Sequence, residues 1–440
     1  MNSKISLRKH LIRGASGSLA LKIANMSLTM VLAVFLARIL GVENFGIYAF
    51  CLSFVQILTV PAMLGGQQIL VREVAAYQIK GEFHFLRGLL LRFKQASILI
   101  SLTLAIAASG VGFFIYQSNP LLIPFLTAMP LIPLFATMQL QGAALRGLRH
   151  VLLGQAPMML RPGFVLVFVC IFYWCLGSDF YAEAALWAQM ATSALLVMLT
   201  FFLLSRSLPN RVKTIKPDYE TQKWVKSVLP FVFAGGMQIL NGETSVIMLG
   251  FMEKPEEVGL FRMAQRGALL IPFALQAVNM AVAPTISQLF VQGEKQRLQH
   301  MISKIVHGVF ALSLPVALGL ILGGKWIIPV VFGSDYAPAY IPLVVLCLGQ
   351  LVNVGMGSVG LLLNMAGFEN LTARGVTVAT LSNIILNFAM IPFWGASGAA
   401  IATSISLTIW NIVLFLLLYK KTGIVSSIRL SALRATLIFN

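Results

Sequence analysis

The chain has 440 residues, of which 58% are hydrophobic and only 10% charged, and its mean hydropathy is +0.87. Soluble domains carry about 25% charged residues, so this composition cannot clothe a water-facing surface and excludes an ordinary soluble protein. The net charge of +18 would suggest a nucleic-acid partner in a soluble chain; membrane proteins concentrate Lys and Arg in cytoplasmic loops, so lipid is the expected solvent and no nucleic acid is expected.

A helix needs roughly 20 apolar residues to cross a hydrocarbon core of about 30 Å. Twelve stretches reach that length, at about 14–37, 46–66, 95–116, 121–143, 158–176, 182–205, 227–250, 259–289, 306–324, 339–364, 374–394 and 396–419. The first follows a basic start, as a signal peptide does, but it is too long for one and contains Lys22; it reads as a retained helix. The eighth is long enough to be tilted or broken, at Pro272 or Pro284.

With the N-terminus inside, the basic residues gather on one side. Lys4, Arg8, Lys9 and Arg13 come first, then Arg72, Lys80, Arg87, Arg92, Lys94, Arg146 and Arg149. Arg206, Arg211, Lys213, Lys216, Lys223 and Lys226 follow, then Lys295, Arg297, Lys304, Arg374, Lys420, Lys421, Arg429 and Arg434. The other side holds Arg38, Lys254 and Lys325. The bias predicts an even number of spans and cytoplasmic termini. The outer loops are short, which leaves no room for an external catalytic domain.

The chain resembles itself at an offset of about 213–220 residues. Gly41-Val-Glu-Asn-Phe-Gly46-Ile-Tyr48 pairs with Lys254-Pro-Glu-Glu-Val-Gly259-Leu-Phe261, Arg146-Gly147-Leu148 with Ala366-Gly367-Phe368, and Ala184-Ala185-Leu-Trp-Ala188 with Gly398-Ala399-Ala-Ile-Ala402. Six spans per half give both halves the same polarity, a parallel repeat of the kind transporters use. The expected organisation is an N-terminal lobe over 1–210, a basic cytoplasmic linker over 211–226, a C-terminal lobe over 227–420 and a tail over 421–440.

Leu36-Ala-Arg-Ile-Leu-Gly-Val-Glu-Asn-Phe-Gly-Ile-Tyr48 resembles the signature that follows the first helix of polysaccharide and O-antigen flippases of the Wzx type. So do Val71-Arg-Glu-Val-Ala75, Glu257-Val-Gly-Leu-Phe261 and Gly395-Ala-Ser-Gly-Ala-Ala-Ile-Ala-Thr403. These belong to the multidrug/oligosaccharidyl-lipid/polysaccharide exporter superfamily. The resemblance covers nearly the whole chain. It implies an all-α integral membrane protein of about twelve transmembrane helices, in two parallel six-helix lobes around a central cavity that opens alternately to each side. The implied cargo is an undecaprenyl-diphosphate-linked oligosaccharide carried from the cytoplasmic to the outer leaflet of a cell inner membrane, alongside other polysaccharide-assembly proteins. Lipid II flippases of the superfamily usually have more spans.

Ionisable residues within spans cost about 2.5–3.5 kcal/mol each on insertion scales and mark functional sites by default. Here they are Lys22, Arg161, Arg262, Arg266 and the single deep acid Glu243. The excess of cations favours an anionic ligand. Arg262 and Arg266 share a helix face, with Gln276 near it, and guanidinium groups grip phosphate bidentately. Each has a plainer reading: Lys22 and Arg161 can snorkel to the inner interface, Arg262 can reach the outer headgroups, and Arg266 can pair with Glu243 at equal depth.

Gln238, Asn241 and Ser245 share a face suited to sugar hydroxyls, and Asn25, Asn353, Asn383 and Asn387 are further candidates; interhelical hydrogen bonds are the commoner use of such residues. Cys51, Cys170, Cys175 and Cys347 lie in apolar runs without metal spacing, so no metal or other cofactor is expected. Glu243 beside cations leaves open coupling to a proton or a sodium ion. Two other functions stand beside the flippase. A cation-exporting multidrug antiporter would need more deep acids than Glu243. A membrane-embedded sugar-modifying enzyme would need a convergent acid–base or nucleophile set.

Overall fold

The computed structural model describes the backbone of residues 2–117 and 119–428; side chains are described for these except at 2–16, 18, 19, 178, 226, 227, 229–231, 233–235 and 238. Among the described residues the regular structure is helical. In chain order the helices are α1 (Asn2–Met63), α2 (Gly66–Lys80), α3 (Phe83–Ile115), α4 (Leu122–Ala128), α5 (Leu131–Gly147), α6 (Val151–Leu176), α7 (Ala182–Ser207) and α8 (Asn210–Thr214). They continue with α9 (Thr221–Met252), α10 (Pro255–Ala268), α11 (Phe273–Val291), α12 (Lys295–Phe332), α13 (Tyr340–Met356), α14 (Val359–Met365) and α15 (Glu369–Thr422).

Nine helical segments among the described residues are long and apolar enough to cross a membrane. The two longest, of 61 and 54 residues, each contain two of the expected spans. Their joints are glycines in conformations closed to most side chains: Gly41 at φ 70° in α1 and Gly395 at φ 50° in α15. The helix restarting at Ala396 is capped from elsewhere in the chain, since Ala396 N–H donates to Glu257 Oε2 at 2.6 Å, which places a carboxylate at a helix N-terminus.

The eighth expected span is broken, and at Pro272 rather than Pro284. α10 ends at Ala268 and α11 starts at Phe273 with Pro272 as its N-cap, while Pro284 sits inside a continuous α11. The break exposes the Ile271 carbonyl, and Ser313 Oγ of α12 donates to it at 2.8 Å. A backbone break at membrane depth requires such a partner.

The chain divides into two compact units, one of 1–40 with 47–239 and the other of 41–46 with 240–440. In the first, α5 packs against α2, α3, α6 and α7. Its lower core joins Ile69, Leu70, Val74, Tyr77, Leu86, Leu89 and Phe93 to Leu148, Val212 and Trp224. In the second, α13 is the hub, packed against α10, α12 and α15, and a core of Leu289, Leu298, Ile302, Val306, Leu362, Leu363, Leu418 and Ile424 lies to one side. Phe114, Trp174, Phe388 and Phe393 stand outward, each more than 70% exposed, the disposition expected of a lipid-facing surface.

The segment between α7 and α9 is strapped to the first unit. The Ile215 carbonyl accepts from Arg87, Asp218 N–H donates to His84 O at 3.1 Å, and the Arg92 guanidinium lies 4.4 Å from the centre of the Tyr219 ring. Glu220 then accepts from Tyr77 OH at 2.6 Å and from Lys223 Nζ at 2.7 Å, and Trp224 Nε1 donates to Tyr77 OH at 3.1 Å. Lys223 and Tyr77, as donors, hold the Glu220 carboxyl below its ordinary range, and the Lys223 ammonium is raised by the same bond.

The repeat is visible in backbone geometry. After α5, His150 N–H bonds Leu145 O and Arg149 N–H bonds Arg146 O; after α14, Phe368 N–H bonds Leu363 O and Gly367 N–H bonds Asn364 O. Arg149 at φ 68° therefore corresponds to Gly367 at φ 81°. The sequence match of Gly147 with Gly367 is two residues out of register, because the turn position is held by an arginine in one half and a glycine in the other.

Candidate functional site

The deepest charges of the second unit lie on α9 and α10. Arg262 is 5% exposed, and its Nη2 donates to Glu243 Oε2 at 2.7 Å. Its Nη1 donates to Gln265 Oε1 at 2.8 Å, and Gln265 Nε2 reaches Gly242 O at 3.3 Å. A carboxylate and an amide thus help to hold the guanidinium, which is buried. Glu243 thus pairs with Arg262, a partner that equal depth did not single out. Counting residues along the two helices fixes relative height to about one helical turn, and one turn separates the two arginines.

Arg266 follows on the same helix and is half-buried. Gln276 is exposed on α11. The break between Ala268 and Phe273 lies between Arg266 and Gln276, so the periodicity that put Gln276 on the arginine face does not carry across it. Asn241 is half-buried on α9. Gln238 lies outside the residues whose side chains are described.

The first unit brings Lys22 and Arg161 near one another in height on neighbouring helices. Asn25 Nδ2 donates to Met159 O at 2.7 Å, so α1 and α6 touch one turn from each cation. Arg161 is half-buried and its guanidinium sits 4.4 Å from the centre of the Phe135 ring on α5, a cation–π contact that orders the charge without neutralising it. Lys22 is half-buried on α1.

The asparagines are interhelical. Asn383 and Asn387 are 1% and 0% exposed. Asn387 Nδ2 donates to Ser245 Oγ at 3.0 Å and to Asn383 Oδ1 at 2.9 Å, Asn383 Nδ2 donates to Ser406 Oγ at 3.1 Å, and Ser245 Oγ lies 2.9 Å from Thr403 Oγ1. Asn411 Nδ2 donates to Asn353 Oδ1 at 3.0 Å. Thr403 and Ser406 escaped the sequence reading; their spacing of three on one helix face was the available signal. Gln67 with Gln139, and Thr200 with Gln141, tie α2, α5 and α7 in the same way. Among the described residues no group of three or more His, Cys, Asp or Glu is placed to hold a metal ion.

This helical architecture defines a class. It is similar to an inward-facing multidrug resistance MATE family transporter of the MOP superfamily, with a TM-score of 0.73, 14% identity, and coverage of 91% of this chain and 98% of that one. It is also similar to the lipid II flippase MurJ in an inward closed conformation, with a TM-score of 0.69, 17% identity, and coverage of 96% and 92%. The protein is a multi-pass α-helical membrane protein with the fold of the MOP transporter superfamily. Within it, the chain belongs to the polysaccharide biosynthesis protein family, whose model matches residues 11–290. A probable low-salt glycan biosynthesis flippase of Haloferax volcanii is 29% identical over 167 residues, 37% of this chain and 35% of that protein. The match thus spans about a third of that relative's length.

Proposed function

We propose that the protein is a flippase that carries an undecaprenyl-diphosphate-linked oligosaccharide from the cytoplasmic to the outer leaflet of the cell inner membrane by alternating access, for O-antigen or another exported polysaccharide. Both termini are cytoplasmic in this reading. Family membership and the glycan flippase among its relatives support the class of cargo. The single observation that carries the anionic anchor is the Arg262 guanidinium, buried and fixed beside Glu243 and Gln265, with Arg266 one turn further along the helix. A prefixed guanidinium binds phosphate with little ordering cost. Lys22 and Arg161 form a second cationic step in the other unit. The cation excess also weighs against a cation antiporter, and the relatives are named as flippases and transporters rather than enzymes.

Coupling follows from the same pair. A diphosphate that shares Arg262 takes part of Glu243's countercharge, so cargo and a coupling ion, proton or sodium, are linked at this pair. The test is flipping in proteoliposomes loaded with a fluorescent undecaprenyl-diphosphate disaccharide, read by access of an impermeant quencher. Wild-type protein should expose the probe at both faces, and a pH or sodium gradient should change the rate. A rate equal to that of protein-free vesicles would overturn the reading.

A further inference from the structure

The turn between α2 and α3 has a counterpart between α11 and α12. Gly81 sits at φ 74°, Glu82 N–H bonds Tyr77 O at 3.0 Å, and Leu86 N–H bonds Glu82 O at 3.2 Å. Gly293 sits at φ 71°, Glu294 N–H bonds Leu289 O at 3.1 Å, and Leu298 N–H bonds Glu294 O at 3.0 Å. Tyr77 therefore corresponds to Leu289, and Phe83 to Lys295. Arg87 corresponds to Gln299, and both do the same work. Arg87 holds the strap after α7 through the Ile215 carbonyl. Gln299 holds the segment after α15 through Val425, donating to its carbonyl at 2.7 Å and accepting from its N–H at 2.8 Å.

The two halves differ in what lies beneath the strap. In the first unit the space is filled by Tyr77 and Trp224, 2% and 3% exposed. In the second a cavity of about 330 Å³ remains. Leu289, Leu298, Phe368 and Ile424 give it an apolar lining, and the exposed Lys295 and Lys421 stand beside them. It lies where α11 and α15 end and α12 begins, at the end of apolar spans rather than within them. A cavity with apolar walls and ammonium groups at the membrane surface complements a molecule with an acyl tail and a phosphate, and basic pockets between helices take anionic lipid headgroups. Arg429 and Arg434, in the sequence that follows, carry the same sign as the two lysines and are no complement to them.

We propose that this cavity is a binding site for one anionic phospholipid, its phosphate at Lys295 and Lys421 and its glycerol and first acyl carbons against Leu289, Leu298 and Phe368. The site is separate from the charges assigned to the transported cargo and is independent of that assignment. Native mass spectrometry of the purified full chain, titrated with dioleoylphosphatidylglycerol or dioleoylphosphatidylcholine, tests it. Wild-type protein should retain one phosphatidylglycerol at concentrations where phosphatidylcholine is lost. The double variant Lys295→Gln/Lys421→Gln should bind that lipid about tenfold more weakly, with an unchanged melting temperature in phosphatidylcholine. Leu289→Tyr, which installs the residue found at the matching position of the first unit, should also weaken it with both lysines intact. Equal retention of the two lipids, or unchanged binding in both variants, would overturn the proposal. So would displacement by equimolar farnesyl phosphate, which would assign the site to prenyl phosphates. Retention only after deletion of residues 429–440 would make those residues the occupant, and that too would overturn it.

Discussion

Gly46 lies against the Pro255 carbonyl, and Gly259 lies against the Val42 carbonyl. Both glycines and both carbonyls are 213 residues apart in sequence, so the two contacts are one contact repeated by the internal symmetry of the chain. The two matching segments cross each other within the second unit, to which 41–46 belongs. Tyr336 OH adds a bond to Gly41 O at 3.1 Å, and its ring meets Phe45 edge-on at 6.2 Å.

A Cβ at either glycine would collide with backbone, which cannot rotate away as a side chain can. Gly46→Val and Gly259→Val should each destabilise by about 1–3 kcal/mol or more, seen as reduced membrane abundance and a lower melting temperature. The symmetry predicts losses of similar size. A normal melting temperature in either variant would show that the crossing is not tight.

Arg262 and Glu243 form a buried pair, with side chains 6% and 13% exposed. Removing one partner of such a pair costs about 3–5 kcal/mol, while replacing both with apolar groups is often near neutral. Arg262→Ala should therefore lower abundance sharply, and Arg262→Met/Glu243→Leu should recover most of it. Transport separates structure from coupling. If the pair only holds α9 to α10, the swap Glu243→Arg/Arg262→Glu should restore flipping. If Glu243 couples transport, the swapped protein should be abundant and inactive, and Glu243→Gln should lose gradient dependence.

Arg266, one turn from Arg262 on the same helix, offers a second test of anion binding. Arg266→Ala should insert normally and cut flipping of the diphosphate-linked probe about tenfold or more. Arg266→Lys should recover part of this, keeping the charge but losing the fork. Wild-type flipping by Arg266→Ala would remove this residue from the cargo path.

The Glu220 carboxyl is held low by Lys223 and Tyr77, so its contribution to stability is present above the ordinary carboxylate pKa and fades as pH falls through the lowered folded value. Thermal melts should show a drop between neutral and acidic pH that is smaller in Glu220→Gln. An identical pH profile in that variant would show that the strap draws no stability from this charge.

Sidedness is testable with single cysteines in a background lacking Cys51, Cys170, Cys175 and Cys347. Positions Gln117, Asp179, Lys254 and Asp335 are exposed and should react with an impermeant thiol reagent from outside; Lys80, His150, Lys216 and Gln296 are also exposed and should not. Reversed labelling would invert the topology. Glu256 is a poor reporter, since it is half-buried with a buried carboxylate oxygen.

By itself the sequence determined what depends on composition and on order along the chain. Too few charges for a water-facing surface make it a membrane protein. Runs of apolar length place the helices, and Pro272 and Pro284 mark two places where the eighth span could break, of which the structure breaks at the first. The matching segments around Gly46 and Gly259 reveal the repeat, and Lys22, Arg161, Arg262, Arg266 and Glu243 stand out because charge is costly in lipid. Only the tertiary structure decided which side chains meet. Helical periodicity projects a face only along an unbroken helix, so it does not place Gln276, beyond the break. Depth resolves one turn at best, so it did not single out the bond between Arg262 and Glu243. The clasp of Tyr77 with Glu220 and Trp224, and the cavity beside Leu289 in the matching place, join residues far apart in the chain. Their contact depends on how helices rotate and pack, a property no local pattern records.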